Sequence, residues 1–370
     1  MQKIYELATE LRHELHQHPE LAGEEVWTKA RLIRFLKENT KLEIVDKGKW
    51  FYAAYKGGGD KPSVGFRADF DALPFPDNVN VPYVSLTPGK GHKCGHDGHA
   101  ATLCAFAMAL EKKQIKRNVY LVFQHGEEVG MGGKECEAFV PETGVQEIYA
   151  WHNTNGYEFG TVELFETFYA CGSVGMNITM TGTPSHASRP EDGNNPAIPL
   201  AKVVTKIPEI TDQSKFETLV MATIVEVNIG EHAFGIAASR GNIGVTLRSL
   251  NDSDMYVIRD RIVEYATAVA NEAGLKVEFS YEDLFPDCKG DAEHCEKVRQ
   301  AAIKCGLPYT YAPAPNRGSE DFGWFLKQCP GSMFDMSCGI GTPSIHTNEF
   351  DFDDDLIPKA LDMMLTLAEM

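Results

Sequence analysis

The chain has 370 residues, more than one compact core usually holds, so its length predicts about two domains. Its formal net charge is −18 at pH 7, and so acidic a chain offers no positive field for a phosphate backbone. We therefore expect no nucleic-acid partner. Hydrophobic residues make up 43% and charged residues 24%, a composition that excludes disordered and collagen-like chains and is typical of a globular protein with a full core.

Membrane and secretory segments are not expected either. No apolar run approaches the ~20 residues of a membrane span, and residues 1–20 lack the apolar stretch of a signal peptide. The nine cysteines are an odd number and are scattered along the chain, which favours reduced thiols. These features predict a soluble, cytoplasmic protein with no membrane partner.

The first part of the chain alternates helical and strand patterns. Two helices open it, one with apolar residues at helical spacing from Ile4 to Leu15 and one over 26–36. Short apolar runs then predict strands at 50–55, 64–66, 119–123 and 148–151, with a helix over 99–110 among them. This alternation predicts an α/β fold with a largely parallel sheet, in which ligands bind at the carboxyl ends of the strands.

The middle of the chain has a different pattern. Its order is β-α-β-β-α-β, which indicates a ferredoxin-like α+β sandwich. The strands are predicted at 174–181, 218–228, 242–248 and 275–281, and the helices at 197–207 and 254–272, with Ser253 as N-cap. We therefore expect an inserted domain at 172–283, within a first domain formed by 1–171 and 284–370. A helix over 292–304 resumes the first domain.

The stretch GHKCGHDGH at 91–99 brings a thiol, three imidazoles and a carboxylate into nine residues. Its glycines give the backbone the freedom to fold around an ion. Cys94 and His96 flank one of them, so both can reach one site. A thiolate with an imidazole suits a borderline-soft divalent cation such as zinc.

A pair of acids, Glu127 and Glu128, follows the predicted strand at 119–123. Adjacent carboxylates at a strand end repel each other unless a cation compensates their charge. We interpret Glu128 as a metal ligand and Glu127 as the general base for a water activated by the metal.

Two further histidines complete the set of ligands. His152 follows the predicted strand at 148–151, and His346 lies near the C-terminus. With Cys94, His96 and Glu128 they make five protein ligands, too many for one tetrahedral catalytic zinc that keeps an open position. Two metal ions that share a bridging ligand accommodate all five.

Seven motifs occur in the order and approximate spacing of one known family: GFRADFDALP at 65–74, KCGHDGHAA at 93–101, FQHGEE at 123–128, WHN at 151–153, GTPSHASRP at 182–190, GSEDF at 318–322 and PSIHTNEFDF at 343–352. The chain resembles the dinuclear metallopeptidase and amidohydrolase family of aminoacylases, hippurate hydrolases, carboxypeptidase G and plant auxin-conjugate hydrolases. Its CysGlyHisAspGlyHis sequence and its opening LRHELHQHPELAGEE at 11–25 are similar to the hippurate and auxin-conjugate branch, where a cysteine replaces a bridging aspartate.

The resemblance implies a zinc-peptidase-like mixed sheet flanked by helices, with the inserted ferredoxin-like domain as lid and dimerisation domain. It also implies the same base, Glu127, and the same metal ligands: Cys94, His96, Glu128, His152 and His346. Asp69 matches a family carboxylate near the metals, and we expect it to contact a ligand rather than a metal.

Two residues of the inserted domain have roles only through the resemblance. His186 matches a histidine that reaches the partner subunit's active site and stabilises the oxyanion, which implies a homodimer; a hydrogen-bonded lid histidine is the alternative. Arg248 lies at a family-like position and is our candidate anchor for a substrate carboxylate, because a guanidinium binds a carboxylate bidentately. A surface salt bridge is its alternative.

The sequence therefore predicts a metal-dependent amidohydrolase that cleaves the amide bond of N-acyl amino acids or related small peptide-like substrates. We expect two divalent ions per chain, zinc first, with manganese, cobalt or nickel as substitutes. The alternatives are a dipeptidase or carboxypeptidase of the same chemistry, a cysteine hydrolase using Cys94, and a noncatalytic metal-binding protein. The last has no need for a spare base such as Glu127.

Overall fold

The computed structural model describes residues 1–370, and the chain forms two compact units. The first unit consists of 1–169, 288–315 and 321–370, and the second of 170–287 and 316–320. The expected insert, 172–283, falls within the second unit, which also includes the short segment 316–320. No helix combines the length and apolar character that crossing a membrane requires.

The helices are α1 (Gln2–Gln17), α2 (Val26–Asn39), α3 (His96–Lys113), α4 (Gly132–Cys136), α5 (Phe139–Thr143), α6 (Ala197–Ile210), α7 (Asp252–Glu272), α8 (Ala292–Lys304), α9 (Gly323–Leu326) and α10 (Leu356–Glu369). The strands are β1 (Glu43–Asp46), β2 (Phe51–Lys56), β3 (Val64–Asp69), β4 (Asn118–Gln124), β5 (Glu147–Thr154), β6 (Val162–Leu164), β7 (Phe168–Ala170), β8 (Gly172–Thr181), β9 (Ser185–His186), β10 (Val220–Ile229), β11 (Ile236–Ala237), β12 (Arg240–Ser249), β13 (Lys276–Phe285), β14 (Cys288–Lys289), β15 (Tyr309–Tyr311) and β16 (Gly331–Ser337).

The first unit is built on an eight-stranded sheet of order β1-β2-β4-β3-β5-β16-β6-β15. Its four central strands, β4, β3, β5 and β16, run parallel to one another. The pairs β1–β2, β2–β4 and β16–β6 are antiparallel, so the sheet is mixed. Because the central strands are parallel, their carboxyl ends lie along one edge of the sheet.

Helix α3 lies at the centre of the first unit's core. Every residue from His96 to Leu110 is buried, because the helix packs on β2, β3 and β4 and also against α1, α2 and α10. A helix that is buried on all sides needs apolar residues all round, and small alanines allow its neighbours to approach closely. Phe106, fully buried, meets the ring of Phe66 edge-on at 4.7 Å between centroids.

The second unit contains the β-α-β-β-α-β order as β8, α6, β10, β12, α7 and β13. Its sheet has the order β10-β12-β8-β13, and every neighbouring pair is antiparallel. This is the ferredoxin-like topology expected from the sequence. Alternate residues of β8, such as Met176 and Ile178, pack with α6 and α7 in a core of their own.

Two details differ from the sequence prediction. Helix α7 is capped by Asn251 rather than Ser253, since the Asn251 side chain accepts a hydrogen bond from the Asp254 N–H at 2.7 Å. Ser253 instead lies in the first turn and donates its hydroxyl to Asn251. Helix α3 begins at His96, three residues before the predicted start. All nine cysteines are free thiols.

Candidate metal centre

Strand ends position most of the predicted site residues. Asp69 ends β3, His152 lies near the end of β5, and a short 3₁₀ turn over Glu127–Val129 follows β4. Since these three strands are parallel and adjacent, their ends bring the three groups to the same edge of the sheet.

The end of the loop before α3 and the first residue of that helix supply two more groups, Cys94 and His96. Gly95, between Cys94 and His96, has φ +99°, a conformation that favours glycine. A Cβ atom at Gly95 would meet the Asn153 side-chain oxygen at 2.0 Å, so the missing side chain also makes room for Asn153. The loop can therefore place a thiol and an imidazole against the end of β5.

The five predicted ligands lie close together. The Cys94 Sγ atom is 3.4 Å from His152 Nε2 and 3.3 Å from His346 Nε2. Glu128 Oε1 is 3.4 Å from His346 Nε2 and 3.8 Å from His96 Nε2. Cys94 thus belongs to two trios of metal-binding side chains, one with His96 and His152 and one with Glu128 and His346.

The chemistry of these groups fits divalent cations. His96 Nε2 and Glu128 Oε1 are buried and have no hydrogen-bond partner, an arrangement that is costly without a compensating ion. Burial raises the pKa of the Cys94 thiol, and the carboxylates of Glu128 and Glu127 raise it further. A nearby cation is what would hold Cys94 as a thiolate, and mixed sulfur, nitrogen and oxygen ligands are typical of zinc.

The proposed base is buried beside these ligands. Glu127 is 7% exposed, and its carboxylate lies within 4.8 Å of the ligand atoms of His96 and Glu128. It follows Gly126, whose φ of +57° lets the chain turn sharply after β4. The turn therefore directs two consecutive carboxylates toward the same cluster.

Asp69 contacts groups around the cluster. Its Oδ1 is 2.7 Å from His99 Nδ1, and its Oδ2 accepts a hydrogen bond from Arg67 at 2.6 Å. The Oδ2 atom is also 3.8 Å from His96 Nε2. Burial opposes ionisation, but the charges of His96 and Arg67 hold the pKa of Asp69 below its usual value.

Sequence reasoning missed Asp71, which contacts two of the proposed ligands. Its Oδ1 is 3.0 Å from His96 Nδ1, and its Oδ2 accepts the backbone N–H of Glu128 at 3.0 Å. A carboxylate behind a ligating imidazole fixes the tautomer and direction of the ring. The signal available in the sequence was the second aspartate of the GFRADFDALP motif.

His186 and Arg248 belong to the second unit. His186 is exposed on β9, which pairs with β11, and its Nδ1 accepts the backbone N–H of Ser188 at 3.1 Å. Arg248 is the next-to-last residue of β12 and donates through Nη1 to the Ser319 hydroxyl at 2.7 Å and the Arg317 carbonyl at 3.2 Å. Arg248 therefore bonds to the segment 316–320.

Comparison with known proteins gives consistent matches along the chain. N-acetylcysteine deacetylase of Bacillus subtilis is 26% identical over 97% of this chain and 95% of its own length. Hippurate hydrolase of Campylobacter jejuni is 26% identical over 97% of this chain and 94% of its own length.

A solved structure confirms the predicted fold class. A dinuclear metal-binding peptidase of the M20 family from Bacillus subtilis superimposes with a TM-score of 0.85 at 24% identity, over 100% of this chain and 98% of that one. The sequence profile of peptidase family M20/M25/M40 matches residues 65–370, which include every proposed metal ligand. The chain therefore belongs to peptidase family M20/M25/M40 and is an enzyme that hydrolyses amide bonds.

Proposed function

We propose that the enzyme removes the acyl group from N-acyl amino acids or related small peptide-like molecules, using two divalent metal ions per chain. Cys94, His96, Glu128, His152 and His346 would hold the ions, and Cys94 belongs to both trios of side chains described above. Zinc suits these ligands best, and manganese, cobalt or nickel would substitute for it. When bound, the ions would supply Lewis-acid polarisation of the scissile carbonyl and of the attacking water.

The observation that carries this proposal is the buried carboxylate of Glu127 beside the five-ligand cluster. A base at this position takes the proton from the attacking water and then returns it to the leaving amine. Both transfers require one carboxylate, close to the reacting atoms and screened from bulk solvent. Glu127 meets these conditions, since it is buried and within 4.8 Å of His96 and Glu128.

His186 would stabilise the oxyanion of the tetrahedral intermediate. Its Nδ1 accepts the Ser188 N–H, so the hydrogen of the neutral ring is on Nε2, and His186 is exposed. A neutral imidazole with Nε2–H is a hydrogen-bond donor of the kind that stabilises developing negative charge. Following the family resemblance, we assign this donor to the active site of the partner subunit in a homodimer.

An edge strand of the second unit supports the homodimer. Strand β10 lies at one edge of its sheet and exposes Val225 and Val227. Nearby in sequence, Phe234 is 89% exposed and Ile236 is also exposed. An unpaired edge with large apolar side chains is suited to pairing with the same surface of a second copy.

Arg248 remains the proposed anchor for the carboxylate of the amino-acid part of the substrate. Both of its hydrogen bonds within the second unit use Nη1. The Nε and Nη2 hydrogens are therefore left to bind a carboxylate in the bidentate geometry that guanidinium groups favour.

The named relatives support the substrate class. N-acetylcysteine deacetylase, N-acetyldiaminopimelate deacetylase and hippurate hydrolase are all named for acyl groups on an amino group. The nine free thiols suit a reducing compartment, and we place the enzyme in the cytoplasm.

A substrate panel with and without metal tests the proposal. The purified enzyme is stripped with a chelator, reloaded with Zn²⁺, Mn²⁺ or Co²⁺, and assayed on N-acetyl and N-benzoyl amino acids and on free-amine dipeptides. We expect activity to vanish on chelation, to return with metal, and to favour the N-acyl compounds. Preference for dipeptides would indicate a dipeptidase, whereas activity that survives chelation but not thiol alkylation would indicate a cysteine hydrolase.

A further inference from the structure

The opening motif at 11–25 has no part in the chemistry above. Its last residue, Glu25, nevertheless accepts a hydrogen bond from the start of the turn that carries Glu127 and Glu128. Glu25 directly precedes α2, but its side chain does not cap that helix. It is 6% exposed, and its Oε1 accepts the backbone N–H of Gly126 at 2.7 Å. The last side chain of the motif therefore holds Gly126, the residue before the proposed base.

The neighbouring acids of the motif have other partners. Glu20 accepts the N–H groups of Trp27 and Thr28 at 3.1 and 2.8 Å, so Glu20 holds the start of α2. Glu24 is exposed and pairs with Lys90 at 2.6 Å. The contact of Glu25 with Gly126 is therefore separate from the capping of α2.

Gly126 is held on both sides of its peptide unit. Its carbonyl accepts the N–H groups of Met131 and Gly132 at 3.2 and 3.1 Å, which closes the loop after the turn. Its own N–H goes to Glu25, and the Glu128 N–H goes to Asp71. Two buried carboxylates from distant parts of the chain therefore fix alternate N–H groups of the segment 126–128.

This arrangement costs stability. Burial and the charge of Asp71 raise the pKa of Glu25 to about 7, although backbone N–H groups partly offset them. Burying one carboxylate near another costs free energy, so stability alone does not explain this arrangement. Local costs of this kind concentrate at functional sites.

We propose that Glu25 is a positioning residue, which aims the carboxylates of Glu127 and Glu128 by holding the N–H of Gly126. The roles of those two residues as base and ligand rest on the proposed function. Glu25 itself touches neither substrate nor metal. It acts by limiting the directions in which the 126–128 backbone can turn.

The test compares Glu25→Ala with Glu25→Gln, whose amide oxygen can still accept the Gly126 N–H, and with Glu25→Asp, whose carboxylate is one methylene too short. Three properties are measured on the full-length enzyme: amide hydrogen exchange over 125–132, affinity for Zn²⁺, and kcat and KM. Glu24→Gln is the matched control and is expected to match the wild type in all three.

We expect Glu25→Ala to speed exchange at 126–128, to weaken Zn²⁺ binding about 10–100-fold, and to lower kcat at least tenfold with little change in KM. Glu25→Gln should recover most of each property, and Glu25→Asp should lie between them. If Glu25→Ala does not fold, the other two variants decide the question. Exchange, Zn²⁺ affinity and kcat closer to the wild type in Glu25→Gln than in Glu25→Asp support the proposal, and the opposite order contradicts it.

Unchanged exchange and Zn²⁺ affinity in Glu25→Ala would overturn the inference, as would a glutamine variant as defective as alanine. A wild-type enzyme that hydrolyses no compound of the panel would contradict the proposed function instead. In that case exchange and Zn²⁺ affinity still decide whether Glu25 holds the turn.

Discussion

Asp71 links two of the proposed metal ligands through one side chain. With its Oδ1 facing His96 Nδ1, the ring donates its hydrogen to the carboxylate and keeps Nε2 available for a metal. Its other oxygen fixes the backbone of Glu128. The directions of an imidazole and a carboxylate ligand therefore both depend on Asp71.

We predict that Asp71→Asn lowers Zn²⁺ affinity about 10–100-fold while leaving the enzyme folded. An asparagine of the same size has one acceptor oxygen, so it cannot serve both N–H groups. Competition with a chromogenic chelator measures the affinity. Asp60→Asn, in an exposed loop, is the control. Equal affinity in the two variants would contradict the role given to Asp71.

Glu127→Gln tests the base. The amide cannot accept the proton of the attacking water, so we expect turnover to fall roughly 10²–10⁴-fold, the usual contribution of positioned proton transfer. Metal content, measured by elemental analysis, should stay at the wild-type value because Glu127 is not a proposed ligand. Full activity per bound metal ion, or a parallel loss of metal and activity, would argue against this assignment.

At the scale of elements, hydrophobic periodicity predicted six of the ten helices and eight of the sixteen strands, but not the helix α10 or the central strand β16. Helix α8 has the predicted bounds. Strand β3 extends three residues beyond the predicted run at its carboxyl end, and β4 and β5 extend beyond theirs by one to three residues at each end. Helix α3 starts earlier than predicted because periodicity treats His96 and Asp97 as surface residues, whereas both are fully buried. His96 lies beside the other proposed ligands, and Asp97 contacts His16 and Arg12. Patterns of apolar residues cannot reveal polar groups that are buried in pairs.

Away from the proposed metal centre, a buried ionic cluster joins the strand β5 to the helix α8. Glu147, at the start of β5, accepts hydrogen bonds from Lys297 at 2.8 Å and from Arg117, and its Oε2 is 3.0 Å from His294 Nε2. Burial alone would raise the pKa of Glu147, but the bonds to His294 and Lys297 and the charge of Arg117 lower it to about 2.

This cluster predicts a loss of stability in acid. A carboxylate whose pKa is lowered on folding stabilises the folded state above its unfolded pKa, and that contribution disappears as the pH falls toward its folded pKa. For Glu147 the window lies between about pH 5 and pH 2, and the contribution is about 3 kcal/mol. Glu147→Gln should therefore unfold at a lower temperature than the wild type at pH 7, with a difference that narrows by pH 3.

Thermal unfolding midpoints at pH 7, 5, 4 and 3 measure this difference. Glu293→Gln removes an exposed acid that also pairs with Lys297, at 3.4 Å, and should change the midpoint little at any pH. A Glu147→Gln difference as large at pH 3 as at pH 7 would show that the charge of Glu147 is not responsible.

At the scale of the whole molecule, the proposed metal centre combines segments that are far apart in sequence, around residues 94, 128, 152 and 346. Sequence could predict Cys94, His96, Glu128 and His152 because each follows an apolar strand or lies in a motif of unusual ligand density. His346 has neither signal, and it was predicted only because it completes the set and matches the family motif at 343–352. It could not predict the contacts of Asp71 and Glu25, since these depend on strand register and on the path of the opening motif. Nor could periodicity assign 316–320 to the second unit, because this segment joins it through loop hydrogen bonds such as those from Arg248 and Cys171.

The net charge of −18 makes association of two chains unfavourable at long range, so a homodimer needs a local apolar surface. The exposed edge strand β10 of the second unit offers one. If His186 serves the partner's active site, His186→Ala should lower turnover about a hundredfold without loss of metal, the effect of removing one oxyanion donor.

Mixing inactive chains distinguishes action on the partner from action within the chain. A Glu127→Gln chain keeps a functional His186, and a His186→Ala chain keeps a functional Glu127. If His186 acts across the interface, the active site of the His186→Ala chain in a mixed dimer has its own Glu127 and receives His186 from the other chain. One of the two sites in each mixed dimer is then complete. We expect activity to reappear on mixing and to approach a quarter of the wild-type value when exchange is random and equal, because about half of the dimers are mixed and each has one working site. Light scattering measures the dimer, and mass spectrometry of differently labelled chains measures the exchange. If labelled chains exchange fully and no activity returns, His186 acts within its own chain or only in the structure of the second unit.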